Sequence, residues 1–145
     1  MTKERLRKYQ DIKREQVDLQ QRLEEVEAAL YSPKTQQPAD QHLSGSRPEG
    51  SALENLASYH MELQDRYKAK LAELAAEQLA IEQAIEPLDT VYRMLLRYRY
   101  IDGLKWDDVC DKMNYSWRQT HYLHGRALQQ LRELTKDCIE VHPIQ

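Results

Sequence analysis

Between Leu56 and Pro87 the chain carries no Gly or Pro, and Leu56, Tyr59, Leu63, Tyr67, Leu71, Leu74, Ile81, Ile85 and Leu88 recur at helical intervals. A period near 3.6 keeps these side chains on one face of a helix and would scatter them over both faces of a strand. A similar segment precedes it: over residues 3–30, Tyr9, Ile12, Leu19, Leu23, Val26 and Leu30 fall at three- and four-residue steps, with Gln16 as the polar interruption. Each segment has a single apolar stripe and cannot bury it alone. Folding back as an antiparallel hairpin covers both stripes within one chain, and pairing with a second copy covers them between chains. The second segment is longer than the first, so part of its stripe is left over, either for self-association as a dimer or tetramer or for packing against the C-terminal third of the chain.

Local punctuation sets the boundaries. Ser32-Pro33 ends the first helix near Tyr31, and residues 32–50, rich in Ser, Pro, Gln and Gly, are long for a connection in a compact domain. Ser51 with Glu54 three residues on reads as the reciprocal cap of the second long helix. Pro87 marks a kink or a boundary. Three short helices are expected beyond it. The first, 88–100, carries Leu88, Tyr92, Leu95, Leu96 and Tyr100 and closes at Asp102-Gly103. The second, 104–113, carries Trp106, Val109, Cys110 and Met113. The third starts at Ser116 and turns Thr120, Leu123, Ala127, Leu128 and Leu131 inward. The fold expected is therefore all-α: a long, coiled-coil-like antiparallel hairpin (first arm helix 1–31, flexible connection 32–50, second arm helix 51–87), a three-helix head over 88–134 and a tail over 135–145. Its head core is Leu95, Leu96, Trp106, Val109, Cys110, Met113, Leu123, Leu128 and Leu131.

Several chemistries are disfavoured. No apolar run is long enough to span a membrane, and the charged opening leads into no apolar segment of a secretory signal, which points to a soluble, cytoplasmic protein. Two distant cysteines, Cys110 and Cys138, suggest neither a disulfide framework nor a four-ligand zinc site. His121 and His124 lie three residues apart, but Cys110 faces inward and Cys138 lies beyond the head, so no metal is expected; His124 is read as a polar surface or backbone-contact residue. Asp107 and Asp108 suit the first turn of a helix, where exposed amides stabilise carboxylates. No catalytic group and no cofactor are indicated.

Charge is unevenly spread. The formal net charge is -3, yet residues 51–90 hold three basic and eight acidic side chains, while 112–132 hold Lys112, Arg118, Arg126 and Arg132 with no Asp or Glu. A second basic cluster, Lys3, Arg5, Arg7, Lys8, Lys13 and Arg14, opens the chain and reads more simply as a solvated helix face than as a DNA-binding arm. Local charge decides whether phosphates are attracted, so an acidic whole does not exclude one DNA-binding face.

The segment 103–131 concentrates the functional signal. Asn114 tolerates left-handed backbone at a helix end, and Ser116 caps the next helix. That helix presents Trp117, Arg118, His121, Tyr122, Gly125 and Arg126 away from its inward positions. A major groove admits one helix, and its base edges offer donor and acceptor pairs within reach of Arg, Gln and His. Trp117, Arg118, His121 and Tyr122 are the candidate base-reading residues. Arg97, Arg99, Lys105, Gln119, Gly125, Arg126 and Arg132 are candidates for backbone contact or support.

Residues 96–131 resemble the region of bacterial sigma factors that binds the upstream promoter element. The likeness lies in RYIDGLKWDDVCDKM and SWRQTHYLHGRALQQL, where Ser116, Thr120, Leu123, Ala127, Leu128 and Leu131 keep that family's capping and core spacing. Through Arg99-Tyr100-Ile101 and through Tyr115-Ser116 to Ala127-Leu128, the chain also resembles phage-encoded late-gene regulators related to the autolysin regulatory proteins. The resemblance implies a helix-turn-helix regulator of phage or prophage genes in a bacterial host, with double-stranded DNA and host RNA polymerase as partners and base reading from the opening turns of the last helix. Trp117 stands where that family usually has a polar residue, which favours stacking or methyl contact. Two other readings are a phage small terminase subunit, whose head ordinarily precedes its hairpin, and a module whose head binds polymerase instead of DNA.

Overall fold

In the computed structural model, which describes residues 1–32 and 48–140, five α-helices and no strand occur among the described residues. They are α1 (Lys3–Leu30), α2 (Pro48–Ile85), α3 (Thr90–Leu96), α4 (Trp106–Met113) and α5 (Trp117–Glu140), with a π-helical turn at Arg97–Ile101 directly after α3. The all-α class expected from the periodicity is the class observed. Most of the expected 32–50 connection and the end of the tail lie outside the described residues.

Three boundaries differ from the sequence reading. Helix α2 begins at Pro48, so Ser51 lies inside it and is not its cap; a proline suits a first turn, where its fixed φ is helical and its missing N–H has no partner to lose. The stretch 86–89 is a turn, so Pro87 marks a boundary, and α3 starts at Thr90. The segment read as one helix over 88–100 is a short α-helix followed by the π turn. There the Asp102 amide donates to the Arg97 carbonyl at 2.9 Å, and the Leu104 amide to that of Tyr98 at 3.0 Å. The extra residue of a π turn brings adjacent Tyr100 and Ile101 both into the interior, at 4% and 7% exposure.

The chain divides into two compact units that cut across the expected arm and head: Met1–Lys13 together with Leu74 onward, and Arg14–Glu73. In the second unit, stretches of α1 and α2 meet through Glu15 and Lys70 at 2.7 Å, Gln16 and the Tyr67 hydroxyl at 3.4 Å, and Glu27 and His60 at 3.1 Å. Rising positions on one helix meet falling positions on the other. Gln16, the polar break in the α1 stripe, is thereby matched by the hydroxyl of Tyr67, so its amide keeps a partner. Val26 and Leu63 are buried here, whereas Tyr59 and Leu71, read as part of the seam, are 41% and 39% exposed.

In the first unit a single apolar cluster joins the opening of α1 to the close of α2 and to the short helices. Leu6, Tyr9, Ile81, Ile85, Leu88, Leu95, Leu96, Tyr100, Ile101, Val109, Ala127 and Leu131 form it. Residues 1–13 and 74–87 thus share a compact unit with the short helices. Three short helices bury too little surface among themselves, and the ends of the long helices supply the missing cover. Of the expected head core, Leu95, Leu96, Val109, Cys110 and Leu131 are buried, while Trp106, Met113, Leu123 and Leu128 are half-buried at the rim. The carbonyls left open at the end of the π turn are taken by α1: Gln10 Nε2 donates to the Tyr100 carbonyl, and Lys13 Nζ donates to that of Ile101 at 3.0 Å. Gly103, at φ +69°, then turns the chain towards α4 through a left-handed conformation open to glycine.

Candidate nucleic-acid interface

Helices α4 and α5 are set against each other by two local devices that the sequence encodes. Asn114 ends α4 at φ 59° and ψ 40°, and its amide donates back to the Asp111 carbonyl. Ser116 Oγ accepts from the Gln119 amide at 3.2 Å, capping α5, a contact that typically contributes about 1 kcal/mol. A β-branched residue at Asn114 would carry the left-handed penalty of roughly 1–2 kcal/mol. Asn114→Val should therefore lower the free energy of denaturant unfolding by about that amount, while Asn114→Gly should lie within about 0.5 kcal/mol of wild type. Equal stability of the Val and Gly variants would show that the left-handed turn is not required.

The core side of α5 follows from its period: Thr120, Ala127 and Leu131 are at most 1% exposed. The opposite side presents Arg118, Gln119, Tyr122, Gly125, Arg126 and Arg132 to solvent, with Tyr122 at 66% and Trp117, at the helix start, at 61%. Around Gly125 a built Cβ would meet nothing within 4 Å, so α5 has an open approach there. No carboxylate lies between Lys112 and Arg132 to oppose their charge.

Beneath this face runs a ladder of rings. Trp117 lies 3.8 Å from His121, His121 lies 4.3 Å from Trp106, and Trp106 lies 4.7 Å from His124, all between ring centroids. His124 then meets the Tyr100 hydroxyl through Nε2 at 2.7 Å. The ladder ties α5 to α4 and to the π turn. Arg99 closes it from the side: its guanidinium stands 4.6 Å from the Trp106 ring, and Nη1 donates to the Leu104 carbonyl at 2.8 Å.

One sequence reading changes as a result. His124, read as a polar surface or backbone-contact residue, is 8% exposed, and burial, together with its neighbours Lys3, His121, Arg99 and Arg7, lowers its pKa to about 4. Arg99, a candidate for backbone contact or support, is half-buried, with its guanidinium against Trp106 and Nη1 on the Leu104 carbonyl. His121, a candidate base-reading residue, is packed between the indoles of Trp106 and Trp117, with Nε2 shielded from solvent and without a hydrogen-bond partner among the described residues. The remaining candidates Arg97 and Lys105 are exposed outside α5. Among the described residues no group of three or more His, Cys, Asp or Glu side chains is arranged to hold a metal ion, and no helix is long and apolar enough to cross a membrane.

What the sequence reading missed is that basic residues at the start of the chain belong to this same unit. Lys3 and Arg7 stand close enough to His124 to disfavour its protonation. The available signal was the spacing Lys3, Leu6, Arg7, Gln10, which puts one apolar and two basic side chains on the face that carries Gln10 to the π turn.

The model of a family described as "Protein of unknown function (DUF1492)" matches residues 56–134, more than half of the chain and all of α3, α4 and the exposed side of α5. No curated protein and no solved structure matches.

Proposed function

The chain belongs to this family, DUF1492, and we propose that it is a sequence-specific double-stranded DNA-binding regulator of phage or prophage transcription. In this reading α1 and α2 form an antiparallel hairpin, α4 and α5 are a helix-turn-helix in a sigma-like head, and α5 lies in the major groove. The protein acts in the bacterial cytoplasm, catalyses no reaction, needs no cofactor, and binds DNA as a dimer or tetramer, with host RNA polymerase as a further partner. Exposed Val17, Met61 and Leu71 support self-association.

The observation that carries this reading is the exposed side of α5, where Trp117, Arg118, Gln119, Tyr122 and Arg126 are free of carboxylate neighbours along 112–132 while the opposite side is fixed in the core. Trp117, Arg118 and Tyr122 occupy the first two turns, within reach of base edges. His121 holds Trp117 from below. Arg126 and Arg132 lie farther along and suit phosphates, with Gln119 and Gly125 beside them.

The test is selection of bound fragments from the surrounding genome, followed by titration of the selected site and a scrambled one at two or more salt concentrations. Arg118→Ala should cost about 1–3 kcal/mol on the selected site and much less on the scrambled one, as loss of a bidentate guanine contact does. Arg126→Ala should weaken both DNAs alike and reduce the salt slope by about 1. If no folded substitution at Trp117, Arg118 or Tyr122 changes binding to the selected site, α5 does not read DNA.

A further inference from the structure

The opening of α1 carries a basic row on the flank of α5. Lys3, Arg7 and Gln10 follow one another at i, i+4 and i+7 and so share a helix face. Both ends of that row are placed. Lys3, with Met1, Thr2 and Glu4, borders a groove of about 330 Å³ whose other wall is Leu128, Leu131 and Arg132 of α5. Gln10 reaches the Tyr100 and Ile101 carbonyls at the π turn. Arg7 lies between these two anchors, exposed, and its charge and that of Lys3 both act on buried His124.

The other cations of this opening divide between uses. Arg5 is spent on Glu77, 3.3 Å away, and Lys13 on the Ile101 carbonyl. Lys3, Arg7 and Arg132 make no ion pair with another described residue, and among the described residues the carboxylate bordering the groove is that of Glu4. Cations without a described ion-pair partner, beside a helix with an exposed basic face, fit a polyanion that runs along both elements.

We propose that the first two turns of α1 are a second phosphate-contacting element of the DNA-binding unit: Lys3 and Arg7, with Arg132 of α5, hold the duplex backbone alongside the groove that α5 enters. The proposal rests on the DNA-binding reading above. It assigns Lys3 and Arg7 to affinity for any duplex and leaves sequence preference with Trp117, Arg118 and Tyr122.

Random-sequence duplex DNA is the direct probe, because phosphate contacts act on every sequence. Each lost contact lowers the slope of log affinity against log salt by about 0.9. The full-length Lys3→Gln/Arg7→Gln protein should thus show a slope shallower by about 2, with the ratio of selected-site to random binding unchanged. Arg7→Gln alone should give about half that change, and guards against a fold defect in the double variant. Arg5→Gln should leave the slope near wild type, and Glu4→Gln should tighten binding. An unchanged slope in the folded double variant would overturn the proposal while leaving base reading by α5 in place. Failure of the wild-type protein to bind either DNA would overturn both.

Discussion

Leu131→Ala is expected to destabilise the unit formed by Met1–Lys13 and the chain from Leu74 onward by about 2–5 kcal/mol, the range for truncating a fully packed leucine. Leu131 is 1% exposed and sits in the cluster with Leu6, Ile85, Leu95, Leu96 and Val109. The truncation would fall in a cluster to which α1, α2, α3 and α4 all contribute side chains. Against a typical domain stability of about 5–15 kcal/mol, that loss removes a large share. Leu123→Ala and Leu128→Ala should cost less, under about 2 kcal/mol each, because both side chains lie half-buried at the rim. Chemical denaturation followed by circular dichroism measures the three variants on one scale. A Leu131→Ala protein that unfolds like wild type, or one less affected than Leu128→Ala, would show that the inward side of α5 is misplaced.

That ordering illustrates what periodicity conveys and what it does not. The spacing of Thr120, Ala127 and Leu131 gave the inward direction of α5, because a 3.6-residue period needs only local geometry. It could not separate the buried Leu131 from the rim residues Leu123 and Leu128, which share the period and differ only in what other elements lay over them. The caps at Asn114 and Ser116 were legible for the same local reason. Pro48 was not, since Ser51 offered an equally good local signal three residues later.

Long-range placement was the larger omission. The apolar stripe of α1 was read as a seam with α2 or with a second copy, yet Leu6 and Tyr9 belong to the cluster that holds Ala127 and Leu131 of α5, far away in sequence. Periodicity names a face and not its partner. The π turn was hidden because Arg97–Ile101 continues the composition of α3, and its extra residue becomes necessary only when Tyr100 and Ile101 must both turn inward. His124 was misread for a related reason. A histidine within an otherwise exposed basic segment ordinarily faces water, and only the placement of Trp106 and Tyr100 on other elements encloses it.

The enclosure of His124 should make the fold acid-sensitive at a pH where carboxylates are still ionised. In the unfolded chain the imidazole takes a proton near its ordinary pKa of 6.5, whereas in the folded protein burial, Lys3, His121, Arg99 and Arg7 delay this to about 4. Between those values the unfolded state holds more protons, so unfolding becomes more favourable as pH falls; the stability contributed is fully present above about 6.5 and fully lost below about 4. The whole loss amounts to about 3 kcal/mol at roughly 1.36 kcal/mol per unit, and about half of it should fall between about pH 6.5 and 5. His124→Gln keeps a polar partner for the Tyr100 hydroxyl and removes the titration. Unfolding free energies of wild type and His124→Gln, measured at half-unit steps from about pH 7.5 to 5, should therefore converge on acidification by about 2 kcal/mol. Parallel profiles would mean that His124 is protonated as easily in the folded protein as in the unfolded one, and that the ring ladder from Trp117 to Tyr100 is open to water.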